Sequence, residues 1–139
     1  MSAMKVSILS AENPIFDGEA DVVSASSEMG DIGVYPNHAP LLARLKPGQV
    51  CLRSQGQEDR LFFVSGGIIE VKPDAVTVLA DTVLRGDDLD EAKAAEAKKR
   101  AEESLQSKLS DQEAAAALAR IAEAAAQLRM IEEIRKMKR

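Results

Sequence analysis

The chain has 139 residues and a net charge of −5, with 18 basic against 23 acidic side chains, one cysteine, one histidine and no tryptophan. That length holds one ordinary domain or two small ones, and without a basic excess a nucleic-acid partner is not expected. The single Cys51 cannot close an internal disulfide and suits a reducing compartment. No run approaches the roughly 18 apolar residues of a spanning helix. The apolar stretch over residues 6–9 is too short for a signal peptide, so any membrane role is expected to be peripheral.

Taken in order, residues 5–9, 21–26, 48–53, 60–65, 68–71 and 75–80 alternate or run apolar as strands do, and residues 15–19, 33–35, 41–45 and 82–84 are shorter candidates. The separators are turn formers: Asn13-Pro14, Asp17-Gly18, Met29-Gly30-Asp31, Lys46-Pro47-Gly48, Gln55-Gly56, Gly66-Gly67 and Lys72-Pro73-Asp74. About ten short strands at this spacing predict an antiparallel sandwich or flattened barrel. Ser65-Gly66-Gly67 is followed by Ile68-Ile69, which fits a hairpin turn and not a phosphate loop. Residues 28–42 stand apart, with two glycines, two prolines, the only tyrosine and the only histidine. Both prolines fix φ and remove donors that a central strand needs, so the segment is a shaped loop. It serves either as a rigid docking edge or as an elaborate sheet corner, and corners are the commoner of the two.

At Arg85-Gly86-Asp87-Asp88-Leu89-Asp90 the character of the chain changes. All eight glycines and all five prolines lie at or before Gly86, as do Phe16, Tyr35, Phe62 and Phe63. Beyond it come Ala, Glu, Lys, Arg, Leu and Gln, the strong helix formers. The charge also divides, with 7 basic and 11 acidic side chains in residues 1–86 against 11 and 12 in residues 87–139. The expected division is therefore a β-sandwich over residues 1–85 and an α-helical hairpin over residues 86–139. Asp88 and Glu91 have capping-box spacing and predict a helix from Leu89 to about residues 107–109. Ser110 and Glu113 form a second box, so helix two should begin at Asp111. Ala94, Ala101 and Leu105 recur on one face of the first helix. Ala114, Leu118, Ile121, Ala125, Leu128 and Ile131 recur on one face of the second, which closes with Arg135, Lys136, Lys138 and Arg139. Nine of the thirteen residues 114–126 are alanine. A buried methyl contributes about 0.8 kcal/mol where a leucine contributes about 2 to 3, so the hairpin is close-packed and weakly held. That suits a detachable arm and a permanently folded appendage equally.

Chemistry of its own is not expected: one histidine and one cysteine far apart make neither a nucleophile pair nor a metal cluster, and His38 reads as a loop hydrogen-bonding residue. The chain is therefore not expected to be an enzyme on its own or to hold a metal.

Four ordered blocks carry a family resemblance: residues 30–42 (Gly-Asp-Ile-Gly-Val-Tyr-Pro-Asn-His-Ala-Pro-Leu-Leu), residues 64–71 (Val-Ser-Gly-Gly-Ile-Ile-Glu-Val), residues 76–82 and Leu89-Asp90-Glu91-Ala92. The chain resembles the epsilon subunit of bacterial F-type ATP synthases from about Val6 to Met137. The resemblance implies an α+β fold, a sandwich of about ten strands and a two-helix hairpin. It also implies a central-stalk rotor subunit on the cytoplasmic face of the inner membrane, held there through the complex. Such a subunit binds the gamma subunit and the rotor c-ring, couples proton flow to ATP synthesis, and inhibits hydrolysis when its helices extend toward the alpha and beta subunits. Carried onto this chain, the rotor-ring contact falls on Glu28, Met29, Gly30, Asp31, Gly33 and His38. The inhibitory helix contacts fall on Arg120, Arg129, Arg135 and Lys136, and for such a movement Gly86, as a flexible joint, and Asp88, where the helix restarts, read as the hinge. A nucleotide motif of some relatives falls on Asp90, Lys93 and Arg100. Lys93 stands where the motif has an arginine, and Glu123 and Gln127 replace arginines on helix two. A lysine offers one point charge in place of a fork, so no cofactor is expected and ATP binding is at most weak. A small nucleotide-binding sensor is the alternative function, and an unrelated sandwich-plus-helix adaptor a third.

Overall fold

The computed structural model describes residues 3–107 and 109–137. Its backbone contacts divide into two compact units, Met1–Gly86 and Asp87–Arg139. The first contains nine strands: β1 (Met4–Ser10), β2 (Pro14–Ala20), β3 (Val22–Ser27), β4 (Gly30–Val34), β5 (Leu41–Arg53), β6 (Arg60–Val64), β7 (Gly67–Lys72), β8 (Ala75–Ala80) and β9 (Val83–Arg85). They pair in the order β2-β1-β8-β7-β5-β3-β4, and β6 joins β5 to β9.

The count is nine instead of ten because residues 41–45 and 48–53 form one 13-residue strand. The first part of β5 pairs with β7, from Leu41 opposite Val71 to Leu45 opposite Gly67. The second part pairs with β6, from Gly48 opposite Val64 to Leu52 opposite Arg60. Between them Lys46-Pro47-Gly48 acts as a bulge where a turn was expected. The inward residues change from Leu41, Ala43 and Leu45 to Val50 and Leu52, from odd to even numbers, so an odd number of extra residues has been absorbed. The register of β3 against β5 slips at the same place, between Ala25 and Ser27. Pro47 has no N–H to donate and suits that break.

A second departure is the pairing of β1 with β8, which is parallel while every other strand pair is antiparallel. A parallel neighbour needs a long crossover, and β2 to β7 provide it. Ser65-Gly66-Gly67 is likewise a corner and not a hairpin, since β6 and β7 are not partners. Gly66 and Gly67 have φ of 106° and 143°, and a Cβ on Gly67 would stand 2.1 Å from the Leu79 carbonyl oxygen. Only glycine fits that corner. The core is Met4, Val6 and Ile8 from β1 with Val23, Val50, Leu52, Phe62, Val64, Ile69, Val71, Val76 and Val78. Cys51 and Phe63 are buried at the opposite parity, outside that cluster.

A short 3-10 turn over Gly86–Asp88 begins on the last residue of the first unit, and the second unit continues with α1 (Glu91–Leu105) and α2 (Asp111–Met137). The first helix is capped by Asp90, whose carboxylate accepts from Lys93 N at 3.2 Å, so it starts two residues after the Leu89 start expected from Asp88. Three aspartates in four residues could each cap, and the 3-10 turn uses the first two. The helix stops at Leu105, earlier than expected, with the Gln106 N–H donating to Glu103 O at 3.1 Å and the Ser107 N–H to Ser104 O at 3.2 Å. The second cap forms as expected: Ser110 Oγ accepts from Glu113 N at 3.1 Å, and Glu113 Oε1 accepts from Ser110 N at 3.4 Å.

The two helices pack against each other, but the buried stripe on α2 is only partly the expected one, of which Ala114, Ile121, Ala125, Leu128 and Ile131 are half-buried. Ala117, Ala124, Ala126 and Met130 are buried, whereas Leu118 is 56% exposed. In an alanine run no face is distinguished by size, so periodicity alone could not select one. Lys138 and Arg139 lie outside the described residues.

Candidate functional site

The β3–β4 connection is a two-residue tip, Glu28-Met29, with Ser27 opposite Gly30. Ser27 is 2% exposed, the one buried polar side chain among the described residues, and its hydroxyl shapes the tip. It donates to Gly30 O at 2.6 Å and accepts from Met29 N at 3.2 Å. Glu28 N donates to Arg44 O at 2.9 Å, which ties the tip to β5. Gly30 takes a φ of 119°, a conformation a side chain would strain. The tip is thus held by three hydrogen bonds and a glycine, and it presents Met29 97% exposed. Asp31 and Gly33 follow on the outward side of β4, both exposed. A Cβ on Gly33 would lie 3.9 Å from the Tyr35 ring.

His38 lies at the other end of β4. Tyr35-Pro36-Asn37-His38 is a turn with proline second, Asn37 at φ 67° and the His38 N–H closing on Tyr35 O at 3.2 Å. His38 Nδ1 lies 2.7 Å from Ala39 O. Asn37 N donates to Pro73 O, binding this loop to the β7–β8 turn. The five residues of β4 separate the two loops by roughly 15 Å, so Glu28, Met29, Gly30 and Asp31 gather at one end, Gly33 stands between, and His38 is apart.

A feature that the sequence reading missed is an apolar row on the outer face of the sheet. Arg44 on β5 is opposite Ile68 on β7, and Ile68 is opposite Leu79 on β8. Leu42, two residues before Arg44, shares its side of β5. Leu42, Ile68 and Leu79 are 69%, 44% and 48% exposed. Glu28, Arg44, Leu45, Gly67 and Ile68 line a shallow hollow of about 290 Å³ beside this row. The available signal was parity: each of these apolar residues falls on the polar beat of its strand.

Of the junction residues, Gly86 and Asp88 begin and end the 3-10 turn, and Asp90 is engaged as the cap of α1. Lys93 and Arg100 are seven residues apart on α1 and so share a face about two turns apart. Arg100 is already paired with Glu96 at 2.5 Å. On α2, Arg120 and Arg129 are exposed and nine residues apart, which places them on opposite sides of the helix. Lys136 is on the side of Arg129, and Arg135 forms an ion pair with Glu91 that joins the end of α2 to the start of α1. The four basic residues do not form a single stripe. Among the described residues no group of three metal-ligating side chains converges, and no helix is long and apolar enough to cross a membrane.

Residues 3–86 match the family described as ATP synthase, Delta/Epsilon chain, beta-sandwich domain. The chain is 54% identical over 134 residues to the ATP synthase epsilon chain of Nitrosococcus oceani, covering 96% of this chain and 95% of that one. It is 48% identical over 136 residues to the epsilon chain of Nitrosospira multiformis, covering 98% of each. In three dimensions it superposes with a TM-score of 0.72 and 17% identity on a chain of the mitochondrial ATP synthase of Euglena gracilis, covering 100% of this chain and 83% of that one. That last likeness is one of fold.

Proposed function

The chain belongs to the epsilon-chain family of ATP synthases, and from that premise we propose that it is a rotor subunit of the central stalk, coupling proton flow to ATP synthesis and restraining ATP hydrolysis through its two helices. The observation that carries this reading is that its relatives match across both units, at about half the residues and nearly the whole of each chain. The sandwich and the hairpin are therefore inherited together. The Glu28-Met29 tip with Asp31 is the rotor-ring contact: it is rigid, acidic and led by a fully solvated methionine, a combination that suits a polar loop with an apolar spot. His38 belongs to a separate contact at the far end of β4.

The outer row Leu42, Ile68 and Leu79, with Arg44 among them, is the docking face for the gamma subunit. A row of this kind costs solubility unless a partner covers it. The hairpin, held by alanines, is the part that leaves. In its extended setting Arg120, Arg129, Arg135 and Lys136 meet acidic surfaces of the alpha and beta subunits, and the bend lies at Gly86 to Asp88. The subunit performs no catalytic step, holds no cofactor, and sits at the inner-membrane face through its complex.

The test is removal of residues 87–139 and reassembly with the remaining subunits. Hydrolysis should rise while proton pumping is retained, and unchanged hydrolysis would refute the restraining role. The nucleotide-sensor alternative draws only on Lys93 and Arg100 sharing a face. A flat calorimetric titration of the full chain with millimolar ATP would end it.

A further inference from the structure

The strand order leaves β2 at an edge, with β1 as its one strand neighbour, and free edges need cover. Two arginines provide it. Arg60 on β6 donates from Nη2 to Glu19 O at 2.7 Å and to Ser54 Oγ at 3.0 Å. Arg85, the last residue of β9, donates from Nη2 to Ile15 O at 2.7 Å. Each guanidinium also lies over a ring, Arg60 over Phe16 at 4.9 Å and Arg85 over Phe62 at 5.8 Å. Those two rings meet edge to face at 5.6 Å. β9 itself is slight: three residues, paired on one side alone, with Val83, Leu84 and Arg85 opposite Val64, Phe63 and Phe62. One residue further on, at Gly86, the first unit ends.

We propose that Arg85 is the positioning residue of the helical arm: its bond to β2 and its stack on Phe62 pin the end of β9 and confine bending to residues 86–90. The inference rests on the mobile-arm reading given above. Without the pin, a three-residue strand paired on one side frays. The nearest fixed point then retreats to Thr82, whose carbonyl accepts from Ser65 N and whose N–H donates to Ser65 Oγ, both at 3.0 Å. The joint gains residues 83–85, and a longer, looser tether lowers the effective concentration of the arm at the place where it docks. Arg60 is an internal control, because it likewise donates to a carbonyl of the same edge strand and stacks on an aromatic ring, from a position distant in sequence from the junction.

Two measurements decide it. In the full-length chain, Arg85→Ala should accelerate amide exchange at residues 83–85 by about tenfold or more, and Arg60→Ala should leave those amides unchanged. In the reassembled enzyme, Arg85→Ala should weaken arm-dependent restraint of hydrolysis by about two- to threefold. Arg60→Ala should not, and Arg85→Lys should recover part of the effect, since lysine keeps one donor and loses the flat stack. Unchanged exchange at residues 83–85 in Arg85→Ala, or equal effects of the two alanine variants, would overturn the proposal. If removing residues 87–139 releases hydrolysis while Arg85→Ala does not, the pin fails and the mobile arm stands. If that removal releases nothing, the arm reading fails and takes the pin with it.

Discussion

The two units are stabilised in opposite ways. The sandwich buries Phe62, Ile8, Ile69, Leu52 and a set of valines from strands distant in sequence, around glycine corners that allow no substitute. The hairpin buries Ala94, Ala101, Ala117, Ala124 and Ala126 with Met130, and its shape comes from local helix propensity and two caps. A phenylalanine or leucine removed from water contributes about 2 to 3 kcal/mol, whereas an alanine methyl contributes about 0.8. The sandwich therefore has a unique packing that resists deformation, and the hairpin has strong helices whose mutual attachment is cheap to break. A switch needs both, a fixed platform and an element with two settings a few kcal/mol apart.

The sharpest way to break the contrast is at the Gly66-Gly67 corner. Gly67→Ala places a Cβ 2.1 Å from the Leu79 carbonyl oxygen at a φ of 143°, and should cost about 3 kcal/mol or more, read as a lost or greatly lowered thermal transition of the sandwich. A hairpin change of similar size should do far less. Ser110→Ala removes the cap of α2 and should cost about 1 kcal/mol, seen as faster amide exchange confined to the first turns of that helix. Arg135→Gln removes the pair with Glu91, both side chains being half exposed, and should cost about 0.2 to 1 kcal/mol, with the difference vanishing in high salt. An effect on hairpin opening above that range would make this pair a latch and not a surface contact.

The smallest effect at neutral pH concerns Cys51. Burial pushes its thiol up, with Asp59 adding to the shift. A group whose folded pKa is raised is fully stabilising below its unfolded value, about 8.5 for a thiol, and loses that contribution as pH rises through the folded value. Denaturant midpoints should thus be flat on this account to about pH 8 and fall above it, and Cys51→Ser should remove that alkaline part of the slope. Thiol labelling at pH 8 should be slow in the folded chain, where Cys51 is buried, and should accelerate when the sandwich unfolds.

Much of this was legible in the residues. The change at Gly86 marks the end of the first unit because glycine, proline and aromatic residues stop there together. The strand positions followed from alternation, and the Ser110 cap from its spacing to Glu113. Other features had equivalent local alternatives. Asp87, Asp88 and Asp90 are equally good caps on paper, and Lys46-Pro47-Gly48 has the composition of a turn although it is a bulge. In residues 114–126 alanine faces every direction. Leu42, Ile68 and Leu79 each break the parity of their own strand, but that they form one outward row follows only from placing three strands side by side.

What the sequence determined by itself, then, is everything encoded within a few residues: element type, breaks, one cap, and the family to which four blocks pointed. What only the tertiary structure decided is which distant strands meet. The parallel pairing of β1 with β8 and the reach of Arg60 and Arg85 to carbonyls of β2 depend on partners 41 to 70 residues away in sequence, and the continuity of β5 past Pro47 depends on its pairing with both β7 and β6. The reason is physical: a turn or cap is selected by its own neighbours, whereas register and edge cover are selected by whichever arrangement buries the whole apolar set at once.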